Sequence, residues 1–128
     1  LWGTAFLMQK YSLARDDAAQ ISMMMYLGLA IGSLLLPWLC EKWQILDTAI
    51  KVCGLGILLS FSLILFGPRF SQEELTFVLM ILGIFCGAEM MCFTGAVNFS
   101  TRANSGLTIG VVNTLNMLGG AILQQVVG

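Results

Sequence analysis

Glu89 lies inside an apolar run extending from about Leu75 to Val97, whereas the other Asp, Glu, Lys and Arg residues fall at or near the ends of such runs. An unpartnered carboxylate in a low-dielectric setting is costly, so its side chain must face protein or water. At a helical rise of ~1.5 Å per residue, Glu89 is ~13 Å from the polar residues that follow the run. Three chemical uses fit that depth: a proton carrier, a counter-charge for a substrate amine, or a gate. A structural carboxylate hydrogen-bonded to a neighbouring helix fits it as well.

A second group of polar residues lies near the end of the chain. Asn113, Asn116, Gly120 and Gln124 follow one helix face at i, i+3, i+7 and i+11. They offer neutral donors and acceptors, either to a solute in a cavity or to a neighbouring helix. Ser22, Tyr26 and Ser33 share a face in an earlier apolar run. Tyr26 is therefore a further candidate for a cavity wall, or else a packing tyrosine.

Other chemistry is absent from the sequence. The chain has no histidine, which removes the commonest general base and metal ligand. Cys40, Cys53, Cys86 and Cys92 form no CxxC pair and read as small apolar packing residues. No metal site, cofactor or enzyme activity is expected, and a net charge of −1 gives no footprint for nucleic acid.

The elements that must position these residues are membrane-length helices. The chain is 58% hydrophobic and only 10% charged. Soluble domains carry roughly a quarter charged residues, so a lipid bilayer is the expected surrounding. Four spans are expected, at about 18–39, 48–66, 75–97 and 106–127, with 1–9 as the end of a preceding helix. Their lengths match a ~30 Å hydrocarbon core. Connections of about eight residues make neighbouring spans antiparallel. Both ends run through apolar sequence and there is no starting Met, which is the pattern of one fragment of a larger transmembrane domain.

Finer local signals support these boundaries. Asp47 and Lys51 are spaced for an i,i+4 pair at the start of the second span. Gly67-Pro68 breaks the chain, and Ser71 with Glu74 has capping-box spacing for the next helix. Glycines at four-residue spacing (Gly28/Gly32, Gly83/Gly87 and Gly106/Gly110) allow helix backbones to approach closely. Basic residues divide three against three between the two sides, so charge does not orient the chain.

The stretch from Gly28 to Gln44, GLAIGSLLLPWLCEKWQ, resembles the loop signature of the major facilitator superfamily. Glu41 and Lys42 match its acidic–basic pair, while its glycine and terminal basic residues are missing. Gly106 to Ile122, GLTIGVVNTLNMLGGAI, is similar to the eleventh helix of bacterial members, and the opening LWGTAFLMQKYSLARDDAA to the end of their seventh. The resemblance implies an all-α fragment from the C-terminal half of a twelve-helix bundle, in a bacterial inner membrane. It also implies that Glu41 and Lys42 belong to a cytoplasmic gating loop, and that transport proceeds by alternating access around a midplane cavity.

The expected function is therefore secondary active transport of a small polar organic solute, such as an amino acid or related metabolite, coupled to protons. Glu89, Asn113, Asn116, Gln124 and Tyr26 are the candidate residues of the pathway. The expected partners are lipid, the remainder of the same chain, the solute and protons. The alternative is a small four-helix membrane scaffold or assembly protein, in which Glu89 contacts a partner helix.

Overall fold

The computed structural model describes residues 2–127, and those residues form helices joined by short turns, with no strand among them. In order, the helices are α1 (Trp2–Tyr11), α2 (Arg15–Trp43), α3 (Leu46–Phe66), α4 (Gln72–Cys86), α5 (Glu89–Asn98) and α6 (Ser105–Val127). Arg15–Trp43, Leu46–Phe66, Gln72–Asn98 and Ser105–Val126 are each long and apolar enough to cross a membrane, as expected of an integral membrane protein.

Two boundaries differ from the sequence expectation. The loop expected at Cys40–Asp47 is largely helical: α2 continues to Trp43, and only Gln44 and Ile45 separate it from α3. Pro37 lies within α2 and does not end it. A proline removes one backbone donor, and the residues after it, Trp38 to Trp43, have no reason to leave the helix. The turn is made instead by Gln44 in a left-handed conformation, φ 54°, with the Ile45 amide donating to the Cys40 carbonyl at 3.4 Å. That six-to-one bond is a Schellman closure, in which glycine is the usual occupant of the left-handed position. The second difference is in the third expected span, which is not one helix. It breaks at Gly87-Ala88 into α4 and α5.

Other local expectations hold. Lys51 pairs with Asp47 at 2.6 Å, both side chains being well exposed, so the pair adds little stability. Ser71 Oγ accepts from the Glu74 amide at 3.3 Å, and the Ser71 amide donates to Glu74 Oε2 at 2.9 Å. This reciprocal capping box satisfies two amides at the start of α4.

The chain divides into two compact units, the first ending at Met90 and the second beginning at Met91. In the first unit, α4 packs most extensively on α2 and also on α3, while α1 lies on α2. Leu7, Ala18, Ile21, Ile64, Leu75, Leu79 and Leu82 form its buried cluster. These residues come from the end of the bundle where α2 and α4 begin and α3 finishes. The cluster is pinned by Lys10, whose ammonium donates to the Ile64 and Leu65 carbonyls at the end of α3. A cation there both satisfies orphan acceptors and suits the negative end of the helix. Elsewhere α3 presents Val52, Leu55, Leu58, Leu59 and Phe61 outward. In lipid such side chains need no covering, and helices associate through close packing instead.

Candidate functional site

Interhelical packing in the first unit depends on glycine. A Cβ built on Gly28 would overlap the Met80 carbonyl oxygen, and one on Gly32 the Ile84 carbonyl oxygen. From the other side, a Cβ on Gly83 would overlap the Met25 carbonyl oxygen, and one on Gly87 would overlap backbone atoms of Gly32 and Ser33. The four-residue spacings on α2 and α4 therefore face each other, backbone against backbone. On the α3 side, Phe85 lies over Gly56, where an added Cβ would sit 2.7 Å from its ring.

The helical ladder changes where this contact ends. The Gly87 amide is shared between the Gly83 and Ile84 carbonyls, both at 3.1 Å. The Ala88 amide donates to Phe85 at 3.0 Å, and the Met90 amide to Gly87 at 3.2 Å. Bonds to the third preceding residue tighten the chain into a 3₁₀-like step, which displaces the helix axis without leaving amides orphaned. Glu89 is the first residue of α5, immediately beyond this step, and its side chain is exposed. The sequence placed a carboxylate in mid-span; the structure places it at an interruption of the helix, two residues beyond the close approach of Gly87 to the Gly32 backbone.

The other expected site residues are arranged differently. Tyr26 is 62% exposed on α2. Its expected neighbours along that face have committed hydroxyls: Ser22 donates to the Ala18 carbonyl at 2.7 Å and lies 3.4 Å from Thr4 Oγ1, and Ser33 donates to the Ala30 carbonyl at 2.9 Å. That stripe thus has a local structural use. Glu41 and Lys42 are exposed in the last turn of α2, with the Lys42 ammonium 5.2 Å from the centroid of the Trp38 ring. The Gln44 side-chain amide donates to the Glu41 carbonyl at 2.9 Å, which ties that residue into the turn.

Asn113, Asn116 and Gln124 are exposed on α6, in the second unit. The helix keeps the one-face arrangement expected from their spacing, and Thr114 returns its hydroxyl to the Gly110 carbonyl at 2.8 Å. No residue described in α6 between Ser105 and Val126 is buried.

One feature was not legible in the sequence. Asp17, Gln20 and Met24 of α2 and Glu73, Thr76 and Phe77 of α4 line an open groove of about 450 Å³. Its two carboxylates, Asp17 and Glu73, lie in the first turns of α2 and α4, where acidic residues suit a helix N-terminus. The pairing of α2 with α4 is what brings them to one place, and that pairing needs the three-dimensional contact. Near the α1 turn, the Tyr11 hydroxyl is buried without a hydrogen-bond partner, and burial pushes its pKa up. Among the described residues no three His, Cys, Asp or Glu side chains gather as a metal site would require.

Comparison with protein-family models, with curated proteins and with solved structures gave no match.

Proposed function

We propose that this chain forms part of a proton-coupled secondary transporter of the major facilitator type, which moves a small polar organic solute by alternating access. The observation that carries the reading is Glu89, a carboxylate in the interior of the Gln72–Asn98 span, at the point where its helix is interrupted. Interrupted helices with polar or ionisable groups at the break are the means by which many transporters bind solutes and ions near the midplane. Glu89 takes up a proton while its surroundings are open to one side and releases it to the other. Asn113, Asn116 and Gln124 on α6, and Tyr26 on α2, supply uncharged polar contacts to the solute. Glu41 and Lys42 gate the cytoplasmic side. Loops of the Glu41-Lys42 side then face the cytoplasm of a bacterial inner membrane.

The test uses the product of the complete gene in proteoliposomes, screened with radiolabelled amino acids and small polar metabolites under an imposed pH gradient. Glu89→Gln is expected to abolish proton-driven accumulation while leaving solute exchange intact, because the amide keeps the shape but carries no proton. Unchanged pH dependence in that variant removes the proton-carrier role. Absence of any solute movement by the wild-type protein, under every gradient, sinks the transport reading and leaves the scaffold reading in its place.

A further inference from the structure

We infer that the backbone contact between Gly32 and Gly87 is the positioning device for Glu89, fixing the depth at which its carboxyl sits within the apolar zone. Four observations meet at this point. Gly87 is buried, and a Cβ there would overlap Gly32 and Ser33 backbone atoms, which no side-chain rearrangement can relieve. Phe85, two residues earlier, seats α4 on α3 through Gly56. The change from α-helical to 3₁₀-like bonding begins at Gly87 and is complete by Met90. Glu89 follows two residues after Gly87, so any displacement of Gly87 from α2 is passed to it through a single intervening residue.

The physical argument is one of constraint. A glycine–glycine crossing fixes the distance between helix backbones, because neither side offers a flexible side chain to give way. A 3₁₀-like step is softer than a continuous helix, so without an anchor the carboxyl would lie at no particular depth. Anchoring the residue just before the step leaves the carboxyl on a short lever from a fixed point. In an apolar zone, a shift of a few ångströms changes the desolvation of a carboxylate and hence its proton affinity. The surroundings make that sensitivity readable. No charged residue occurs in α2 between Asp17 and Glu41, in α3 between Lys51 and Arg69, or from Glu74 to Arg102 apart from Glu89 itself. The titratable side chains of those stretches, Glu89 apart, are Tyr26, Cys40, Cys53, Cys86 and Cys92.

This role deepens the transport reading and rests on it for its biological use, but its test reads the carboxyl directly. Dicyclohexylcarbodiimide adds covalently to protonated carboxyl groups in apolar settings. The complete protein in proteoliposomes would be treated with it across a pH series, and the label at Glu89 quantified by peptide mass spectrometry, with Glu89→Gln as the blank. Gly32→Ala and Gly87→Ala are both expected to move the labelling midpoint by about one pH unit, or to change the labelling rate about tenfold. Gly54→Ala, on α3 where an added Cβ meets nothing within 4 Å, is expected to leave it unchanged. The two variants approach the crossing from opposite sides: Gly87→Ala presses on the Gly32 and Ser33 backbone and also changes helix propensity at the step, whereas Gly32→Ala presses on the Ile84 backbone and leaves the sequence of the step unchanged.

A wild-type profile in Gly32→Ala overturns the inference, whatever Gly87→Ala does. So does a wild-type protein whose Glu89 takes no label at any pH. Should both alanine variants fail to fold, Ala88→Gly decides, because it adds no atom and only loosens the step. An unchanged midpoint there supports positioning by the contact, and a shifted one shows that the stiffness of the step sets the depth. A protein that labels as expected but moves no solute would sink the transport reading alone.

Discussion

Gly28 and Gly32 on α2 have the same four-residue spacing as Gly106 and Gly110 on α6, and the two pairs end in different circumstances. An added Cβ on either of the first two would overlap backbone atoms of α4; on either of the second two it would meet nothing within 4 Å. The helices carrying them differ in the same way. α2 is locked to α4 along one face, whereas α6 has no buried residue between Ser105 and Val126. The spacing permits a close approach in both cases, but a partner of matching profile makes it a contact in only one. For α2 that partner is a second glycine pair, Gly83 and Gly87, at the same spacing and facing it.

The contrast can be broken most directly at Gly83. Gly83→Leu places a side chain against the Met25 and Leu29 backbones and is expected to cost about 3 kcal/mol or more, seen as loss of monodisperse protein in detergent. A folded Gly83→Leu protein would mean that α2 and α4 are not locked. Next in size is Lys10→Met, which leaves the Ile64 and Leu65 carbonyls without their cation; thermal unfolding should report a loss of about 2 kcal/mol. Ser71→Ala removes half of the capping box at the start of α4 and should cost about 1 kcal/mol in the same assay. The smallest effect is expected at Gly110→Ala. With open space around it, the alanine should be neutral or stabilising by up to ~1 kcal/mol through helix propensity alone. Destabilisation there would sharpen the comparison in the other direction, since it would show that the α6 glycine face has a partner in the membrane.

What could be read in advance follows the range of the physics. The Ser71–Glu74 box and the Asp47–Lys51 pair depend on residues three or four apart, and both form as their spacing requires. The presence of four membrane-length stretches followed from the apolar runs, because the absence of charge from Ala18 to Cys40 is itself the signal. The α2–α3 connection was misjudged for a local reason. Pro37 and the charges at Glu41 and Lys42 suggest a loop, but a proline costs one hydrogen bond and exposed charges are tolerated in a last helical turn. The interruption at Gly87-Ala88 was not legible, because a single glycine weakens a helix by only ~1 kcal/mol and the step coincides with a contact to a residue more than fifty positions earlier. Glu89 stands out in the sequence as a charge alone in an apolar run, and its place beside the interruption needed the structure. The candidate site was less legible at Tyr26, whose stripe of hydroxyls serves the local helix and α1.

The turn at Gln44-Ile45 has a consequence for how the chain is made. Two residues cannot leave a membrane and re-enter it at a distance, so α2 and α3 must cross the bilayer from neighbouring points on one side, in the order they leave the ribosome. To the insertion machinery the pair is one hairpin, committed once its turn has closed. A reporter domain spliced between Gln44 and Ile45 would divide that hairpin, whereas one placed in the longer Phe99–Asn104 connection would leave it whole.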